Sequence, residues 1–255
     1  MIRKKERCDT VRELWVFGVR IDNVAKGEAV ERVMEYVEGR DGERCVVFTP
    51  NVTMLDACRR DEGLRRLMNR ATVSLPDGAG VVRAARRAKK PLKERVAGIE
   101  FGEALLERAA MRGVRVFLLG GGDGVARRAG ERLTERYAGL CVCGTEDGYF
   151  NRDGEENRRV LERIRESGAE ILYVCMGFPT QEEWIVQNSE ALGGVRVVAA
   201  LGGSLDVWSG RIRRAPQIFS RLGLEWAWRM AREPRRLKHL PAIVRSIFLG
   251  RGSAF

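Results

Sequence analysis

The sequence has few of the residues on which metal and imidazole chemistry depends. Its 255 residues include one histidine, His239, and contain no HExxH motif and no Cys/His cluster. A DxD motif is also absent, and the six cysteines include no CxxC pair. These absences argue against a metal site, an imidazole-based triad and a disulfide framework. We expect no metal and no cofactor, and we expect the cysteines to be mostly small buried side chains in a reducing compartment.

Long apolar runs are missing as well. The basic start, MIRKKERCDT, is not followed by the apolar segment of a signal peptide. No stretch approaches the ~18 uninterrupted apolar residues that a membrane-spanning helix needs. The sequence therefore predicts a cytoplasmic protein whose membrane contact, where it occurs, is peripheral.

Positive charge is abundant but unevenly distributed. Residues 211–255 hold eleven Lys and Arg against two acids, so +9 of the net charge of +11 lies in this segment. The rest of the chain is nearly balanced. The segment 211–255 is therefore the part predicted to meet an anionic partner, such as a nucleic acid or a phospholipid surface.

Short apolar runs alternate with longer segments of helical period up to about residue 201. The runs LWVFGV, CVVF, TVSL, VRVFLLG, LCVCG, ILYVCMG and VRVVAALG each have the length of one strand, and helical segments such as Val52 to Asn69 separate them. This alternation predicts an α/β domain over residues 1–210, with a Rossmann-like, mostly parallel sheet and helices on both faces. The ligand site of such a sheet lies beyond the carboxyl ends of its strands.

The segment 211–255 has a different composition, in which Arg, Trp, Leu and Pro replace the strand-like runs. We predict a basic, amphipathic helical appendage that contacts a membrane surface, with cations facing anionic headgroups and Trp226 and Trp228 buried at the boundary. The alternative is that both tryptophans pack on the body while the arginines form a solvated face. Prolines divide the segment into three predicted helices, at 216–222, 224–232 and 235–249.

Polar clusters follow two of the predicted strands. Thr49-Pro50-Asn51 comes after CVVF, and Asp77, within PDGAG, comes after TVSL. One interpretation is that Asn51 and Asp77 are helix N-caps, which is a common use of both residue types. The functional interpretation is that Asp77, beside Thr49 and Asn51, is a general base that removes a proton from an attacking hydroxyl.

Glycine-rich turns follow two other strands. Gly120, Gly121 and Gly122 precede a predicted helix, where glycine allows the backbone to approach a diphosphate and the helix supplies free N–H groups. Val125 stands where the dinucleotide fingerprint GxGxxG would need glycine, and a turn without a ligand remains an alternative. In the second turn, GGSLD, Asp206 is either a helix cap or an acceptor for a ribose or a base.

The segment GFPTQEEW follows ILYVCMG. Thr180 and Glu183 have the spacing of a capping box, which accounts for both residues without a functional role. That leaves Gln181 as the candidate substrate contact in this segment.

Four motifs occur in order: TPN at 49–51, PDGAG at 76–80, GFPTQEEW at 177–184, and GGSLDVWSGRIRRAP with LGLEWAWRMAREPRR within 202–236. Together they resemble the WecG/TagA/CpsF glycosyltransferase family over almost the whole chain. The resemblance implies an inverting, metal-independent enzyme that moves a sugar from a UDP donor to a sugar attached through diphosphate to a polyprenol. In the best-known branch the donor is UDP-N-acetylmannosamine, the acceptor is N-acetylglucosamine-diphospho-undecaprenol, and the product feeds wall teichoic acid or related envelope polymers.

The resemblance also implies roles for single residues. Asp77 matches the proposed catalytic base with Thr49 and Asn51 beside it, Gln181 lies in the pocket, and Arg95 matches an arginine near the active site. The family usually has Asp where this chain has Glu100, a difference that bears on the choice of donor. The basic segment is implied to complete the site, so we expect diphosphate contacts from Arg214, Arg221, Arg229, Arg232 and Arg236.

The resemblance further implies a peripheral location on the inner face of the cell membrane, and a homo-oligomer that exchanges with a membrane-bound monomer. Two other classes of protein compete with the transferase. A nucleic-acid-binding module would need a basic groove with exposed aromatics, and the body is almost neutral. A nicotinamide-dependent oxidoreductase with the same α/β fold would need the dinucleotide fingerprint, and this chain has Val125 in place of its last glycine. We therefore expect no nucleic-acid partner, and a UDP-hexose other than UDP-N-acetylmannosamine stays open as donor.

Overall fold

The computed structural model describes residues 13–39, 43–87 and 89–214, together with Phe219 and Trp228. The strands are β1 Glu13–Val16, β2 Val19–Asp22, β3 Cys45–Phe48, β4 Val73–Ser74, β5 Arg115–Gly120, β6 Cys141–Glu146, β7 Ile171–Cys175 and β8 Val197–Ala200. The helices are α1 Lys26–Glu38, α2 Val52–Arg60, α3 Glu62–Met68, α4 Ala79–Arg87, α5 Gly98–Arg112, α6 Val125–Arg136, α7 Glu155–Glu166, α8 Thr180–Gln187 and α9 Ser204–Trp208. A short 3-10 helix covers Ser189–Leu192.

Six of the strands form one parallel sheet in the order β4-β3-β8-β7-β5-β6. The predicted α/β class is thereby confirmed. The central strands β7 and β8 read ILYVC and VVAA, without a charged residue, and every one of their side chains is buried. Continuous apolar runs of this kind are what a parallel strand needs when helices cover both faces of its sheet.

The two faces of the sheet carry two apolar cores. One core lies under α1, α5, α6 and α9, and the other lies under α2, α3, α4, α7, α8 and the pair β1 and β2. Along β7, Tyr173 points into the first core and Leu172 into the second, as alternation along a strand requires. Each large apolar side chain that is fully buried stabilises the fold by about 1.5–3 kcal/mol.

The first apolar run, LWVFGV, is not the single strand that its composition predicts. It contains all but the first residue of β1, the turn Phe17-Gly18 and the start of β2, which pairs with β1 in a separate antiparallel sheet. Both turn residues have positive φ, 50° at Phe17 and 74° at Gly18. This conformation fits the two-residue hairpin turn whose twist matches that of the strands.

The helix predicted over Val52 to Asn69 is two helices, because Asp61 interrupts it. The Asp61 carboxylate accepts a hydrogen bond from the backbone N–H of Leu64 at 3.1 Å and caps α3. Aspartate competes with helical hydrogen bonds through its own side chain, so it favours a helix start over a helix interior.

The cysteines agree in part with the expectation of burial. Five lie in the described residues and all are free thiols. Cys45, Cys58 and Cys175 are buried, whereas Cys141 is exposed and Cys143 is partly buried on the edge strand β6.

The connections after neighbouring strands leave the sheet towards opposite faces. The chain passes from β3 to α2 and from β7 to α8 on one face, and from β8 to α9 and from β5 to α6 on the other. Opposed connections of adjacent parallel strands open crevices at the carboxyl edge, where ligands of α/β proteins bind. This sheet has such crevices between β3 and β8, β8 and β7, and β7 and β5.

Within the described ranges, none of the helices combines the length and the apolar character needed to cross a membrane. The three helices predicted after residue 215 lie outside the described residues, apart from Phe219 and Trp228. The rings of these two residues pack with their centroids 5.2 Å apart. The predicted domain boundary at residue 210 and the membrane contact of the appendage stay predictions.

Candidate active site

The turns that carry Thr49, Asn51 and Asp77 meet at the carboxyl ends of β3 and β4. The backbone N–H of Asp77 donates to the carbonyl of Pro50 at 3.1 Å, which joins the two turns directly. Helix α4 begins only at Ala79, so Asp77 lies one residue before the capping position. The structure thus brings together three of the four residues predicted to be catalytic, with Asp77 partly exposed.

Asn51 and Thr49 support this corner with their side chains. The side-chain oxygen of Asn51 accepts from the backbone N–H groups of Thr53 and Met54, at 3.0 and 3.2 Å, so the cap interpretation of Asn51 is confirmed. The hydroxyl of Thr49 is buried and donates to the carbonyl of Ala200 at 3.2 Å. Thr49 therefore ties the end of β3 to the end of β8, across one of the crevices.

Arg95 adjoins the same corner. The backbone N–H of Val96 donates to the Pro76 carbonyl at 3.0 Å, next to Asp77. The guanidinium of Arg95 lies 3.2 Å from Oε1 of Glu100, and the same oxygen accepts from Arg214 at 2.8 Å. Glu100 therefore connects Arg95 to an arginine that begins the basic segment.

The glycine turn after β5 packs against the end of β7. Gly120 has φ 133°, and a Cβ there would lie 2.3 Å from the carbonyl oxygen of Cys175, so only glycine fits. The backbone N–H of Gly121 donates to that same oxygen at 3.1 Å. The turn is held from its other side by Asp147, whose carboxylate accepts from the N–H of Gly124 at 3.3 Å. This places the start of α6 at the crevice between β5 and β7.

Two side chains that the sequence did not single out as site residues lie beside Gly122. The ring of Tyr149 is within 4.0 Å of the place where a Gly122 Cβ would stand, and Tyr149 is 89% exposed. Nη1 of Arg211 is 2.9 Å from the same place. An aromatic residue in the polar stretch EDGYFNRDG was the available sequence signal for Tyr149, whereas nothing in the sequence distinguishes Arg211 from the other arginines of the basic segment.

Asp206 belongs to the same neighbourhood. It lies in the first turn of α9, whose N-cap is Gly203, so the cap interpretation of Asp206 is wrong. Its carboxylate forms an ion pair with Arg211 at 3.6 Å. The role of Asp206 as an acceptor for a ribose or a base stays a prediction.

Gln181 lies between the turns that follow β7 and β8, and it is buried. Its side-chain oxygen accepts from the backbone N–H of Gly177 at 3.2 Å and from that of Gly202 at 3.0 Å. Its side-chain nitrogen donates to Oε1 of Glu182 at 2.9 Å. The predicted capping box is not formed, because α8 begins at Thr180 after Pro179 and the described contacts include no side-chain cap.

Glu182, which the sequence did not single out, has no exposed surface. Burial raises the pKa of its carboxyl group from 4.5 to about 7, although the hydrogen bond from Gln181 acts in the opposite direction. Among the described residues, Oε2 of Glu182 has no hydrogen-bond partner. A carboxyl group in such a place is costly to ionise.

The site has two ends on one edge of the sheet. Asp77 and Arg95 lie beyond β4 and β3, and the glycine turn with Tyr149 and Arg211 lies beyond β5. Since β5 lies three strand spacings from β3 and four from β4, the two ends are separated by about 14 to 19 Å. Among residues 13–39, 43–87 and 89–214, no group of three or more His, Cys, Asp or Glu is placed to hold a metal ion.

Four predicted site residues, Arg221, Arg229, Arg232 and Arg236, lie outside the described residues. The other predicted site residues fall at the carboxyl edge of the sheet or, like Arg95 and Arg214, in contact with the segments that form it.

A parallel α/β sheet with a carboxylate corner and a glycine turn along its carboxyl edge is the framework of an enzyme. Residues 14–252 match the Glycosyl transferase WecG/TagA/CpsF family. The chain is 31% identical, over 239 residues, to the N-acetylglucosaminyldiphosphoundecaprenol N-acetyl-beta-D-mannosaminyltransferase of Staphylococcus aureus strain MW2, covering 94% of this chain and 92% of that enzyme. The enzyme of the same name from strain NCTC 8325 / PS 47 matches over the same shares at the same identity. The chain belongs to the WecG/TagA/CpsF family and is a glycosyltransferase, which confirms the resemblance inferred from its motifs.

Proposed function

We propose that this glycosyltransferase moves N-acetylmannosamine from a UDP donor to N-acetylglucosamine linked through diphosphate to a polyprenol. The reaction inverts the anomeric centre, needs no metal ion and serves the synthesis of a cell-envelope polymer such as teichoic acid or an exopolysaccharide. The observation that carries the proposal is the arrangement of the carboxyl edge: Asp77 at one end and the glycine turn about 14 to 19 Å away. A sugar nucleotide is long enough to lie between these two ends.

Asp77 is the general base in this mechanism. Its carboxylate takes the proton of an acceptor hydroxyl while that oxygen forms a bond to the anomeric carbon of the donor sugar. The bond from the anomeric carbon to the phosphate oxygen breaks on the opposite side, and its electron pair leaves with UDP. One displacement of this kind inverts the anomeric configuration.

The departing diphosphate needs positive charge or N–H donors at the other end of the site. The start of α6 offers backbone N–H groups and the positive end of a helix dipole, and the close packing of Gly120 on Cys175 and of Gly121 on Val125 fixes the turn before it. Arg211 beside Gly122 adds a charge-assisted donor. Tyr149 presents its exposed ring to the uracil, and Asp206 accepts from the ribose or the base.

The basic segment serves the acceptor in this proposal. Arg214 already reaches the carboxylate that binds Arg95, so the segment begins beside the corner of Asp77. Arg221, Arg229, Arg232 and Arg236 then contact diphosphate, and the segment lies on the anionic inner face of the cell membrane. We expect the protein to exchange between a homo-oligomer and a membrane-bound monomer, because the basic segment completes the proposed site at the membrane.

The test is UDP release by the purified protein with a lipid-diphosphate-linked N-acetylglucosamine acceptor and a panel of UDP sugars, with and without EDTA. We expect turnover with UDP-N-acetylmannosamine, no effect of EDTA and an inverted anomeric product by NMR. Asp77→Asn should lower kcat by about 100- to 10,000-fold, the contribution of a general base. The matched control is Asp61→Asn at the opposite edge of the sheet, where Asn caps α3 as well as Asp does.

Each result bears on a separate part of the proposal. Turnover with another UDP-hexose alone would refute the donor sugar but keep the reaction. Loss of turnover in EDTA would refute metal independence, and full activity of Asp77→Asn would remove Asp77 as the base. No turnover with any donor, in detergent or in liposomes, would contradict the proposed acceptor.

A further inference from the structure

The consecutive residues Gln181 and Glu182 join two turns that diverge from the sheet. The chain after β7 enters α8 on one face, and the chain after β8 enters α9 on the other. Gln181 lies in the first turn of α8, yet its side chain binds Gly202 in the turn that leads to α9. It also binds Gly177 in its own turn. The side chain of Gln181 thus bridges the crevice between β7 and β8.

The two backbone donors determine the orientation of this amide. Both N–H groups converge on one atom, which must be the oxygen, because a side-chain nitrogen would meet them as a third donor. The nitrogen of Gln181 then points into a buried place, where it needs an acceptor of its own. Oε1 of Glu182 is that acceptor, at 2.9 Å.

The buried carboxyl group of Glu182 destabilises the folded state. It has no exposed surface, and one of its oxygens has no partner within the described structure. Ile185, one helical turn further along α8, belongs to the apolar core of that face, so an apolar residue would suit the position of Glu182. What Glu182 supplies in return is an acceptor for the Gln181 nitrogen.

The two turns held in this way flank the donor end of the site. The turn containing Gly177 follows Cys175, whose carbonyl binds the glycine turn at Gly121. The turn containing Gly202 leads to Asp206 and its partner Arg211. Any change in the separation of these turns moves the groups proposed to meet UDP.

We infer that Glu182 is a positioning residue for the donor site: it fixes the Gln181 amide so that the turns after β7 and β8 keep a constant separation. The effect on the donor rests on the proposed function, whereas the bridge itself can be tested without a substrate.

The test uses Glu182→Met, which removes the acceptor, and Glu182→Gln, which keeps an acceptor oxygen of similar placement. Backbone amide exchange at Gly177 and Gly202, followed by NMR in the full-length protein, reports on the bridge. We expect exchange at both glycines to rise about tenfold in Glu182→Met, on the scale of one buried hydrogen bond, and to stay near the wild-type rate in Glu182→Gln. Unchanged exchange in Glu182→Met, or equal acceleration in both variants, would overturn the inference.

Binding of UDP, measured by calorimetry without the lipid acceptor, reports on the donor site. Glu182→Met should weaken binding and raise the KM for the donor about tenfold, with a smaller change in kcat, and Glu182→Gln should restore both. Normal affinity in Glu182→Met despite faster exchange would overturn the positioning role. A wild-type protein that binds no UDP would count against the proposed function, while amide exchange would still decide on the bridge.

A double-mutant cycle keeps the inference falsifiable if Glu182→Met folds poorly. Gln181→Met removes the bridge directly, so it should accelerate exchange at Gly177 and Gly202 by itself. Adding Glu182→Met to Gln181→Met should then change that exchange no further, because residues that act through one contact are not additive. Additive effects of the two substitutions would contradict a shared role.

Discussion

The corner around Asp77 and the junction between β7 and β8 lie on the same edge of the sheet, but different hydrogen bonds hold them. At the corner, backbone groups join the turn of Asp77 to its neighbours, as Asp77 binds Pro50 and Val96 binds Pro76, while the side chains of Asn51 and Thr49 hold the adjacent turn. At the junction, the side chains of Gln181 and Glu182 make the connection. From this comparison we expect that the proposed base can be replaced by a residue of the same shape with little loss of structure, whereas replacement of Gln181 or Glu182 alters structure and site together.

The largest effect is expected at the corner. Asp77→Asn should remove almost all activity while it changes the free energy of unfolding by less than about 1 kcal/mol, because asparagine keeps the shape of the side chain and the backbone bonds that join the turns stay in place. Urea unfolding of the variant and the wild type measures the change in stability, and the UDP-release assay measures the change in activity. A large loss of stability would show that the corner does depend on this side chain.

The second effect is a pH dependence of stability that originates at the junction. The folded pKa of Glu182, about 7, lies above the ordinary 4.5, so the folded state binds more protons than the unfolded state between these values. The contribution of Glu182 to stability therefore falls as pH rises from 4.5 to about 7, by about 3 kcal/mol in all at 1.36 kcal/mol per pKa unit. Glu182→Gln should lose this slope and be the more stable protein at pH 8.5.

Urea unfolding of both proteins from pH 5 to 8.5 measures this slope, and other titrating groups cancel in the difference. Glu183 raises the pKa of Glu182 through its charge. Cys58 of α2, whose own pKa is raised to about 11 mainly by burial, stays neutral over this range. Parallel pH profiles would show that Glu182 is not a buried acid with a raised pKa.

A third and smaller effect is expected at the donor end. Tyr149→Ala should weaken UDP binding by about 1–3 kcal/mol, the scale of base stacking on an aromatic ring, and Tyr149→Phe should retain most of it. Stability should not change, since Tyr149 is 89% exposed. Met111→Ala is the control, because Met111 is 73% exposed on α5 near the opposite edge. Wild-type affinity in Tyr149→Ala would exclude stacking at this position.

The smallest effect is expected at Glu100. Its Oε1 binds both Arg95 and Arg214, and the shorter side chain of Glu100→Asp cannot hold both in the same geometry. Partly exposed ion pairs are worth about 0.2–1 kcal/mol, so kcat/KM for donor or acceptor should change about two- to fivefold. Glu103→Asp, which alters the longer contact of Arg214, serves as control. A change of a hundredfold would mean that Glu100 touches the substrate.

Local sequence signals predicted the alternation of strands and helices well, because the apolar runs of β5, β7 and β8 are continuous and clearly bounded. They failed where the chain changes direction within one run, as at Phe17-Gly18 and at Asp61. A two-residue turn decides the structure in the first place, and a single aspartate that caps a helix decides it in the second. The strand order could not be predicted from the sequence, since it depends on pairing between distant segments such as β3 and β8.

The same distinction holds for the site. Thr49, Asn51 and Asp77 lie in short motifs after strands, so their meeting follows from the parallel sheet. The surroundings of Gln181 could not be predicted in this way, because its partners at Gly177 and Gly202 come from turns on opposite sides of the crevice. Tyr149 and Arg211 were missed for a related reason: they meet at Gly122 from segments more than sixty residues apart.

The connections after neighbouring strands leave this sheet towards opposite faces, at β3, β8, β7 and β5 in turn. This arrangement affects how new substrate specificities can arise. Each wall of the cleft is supplied by a different connection, anchored to its own helix on its own side of the sheet. An insertion or an exchange in one connection therefore reshapes one wall and leaves the opposite wall in place. Grafting the connection between β5 and α6 from a relative that uses another nucleotide sugar should alter the proposed donor pocket while the corner proposed to receive the acceptor stays intact.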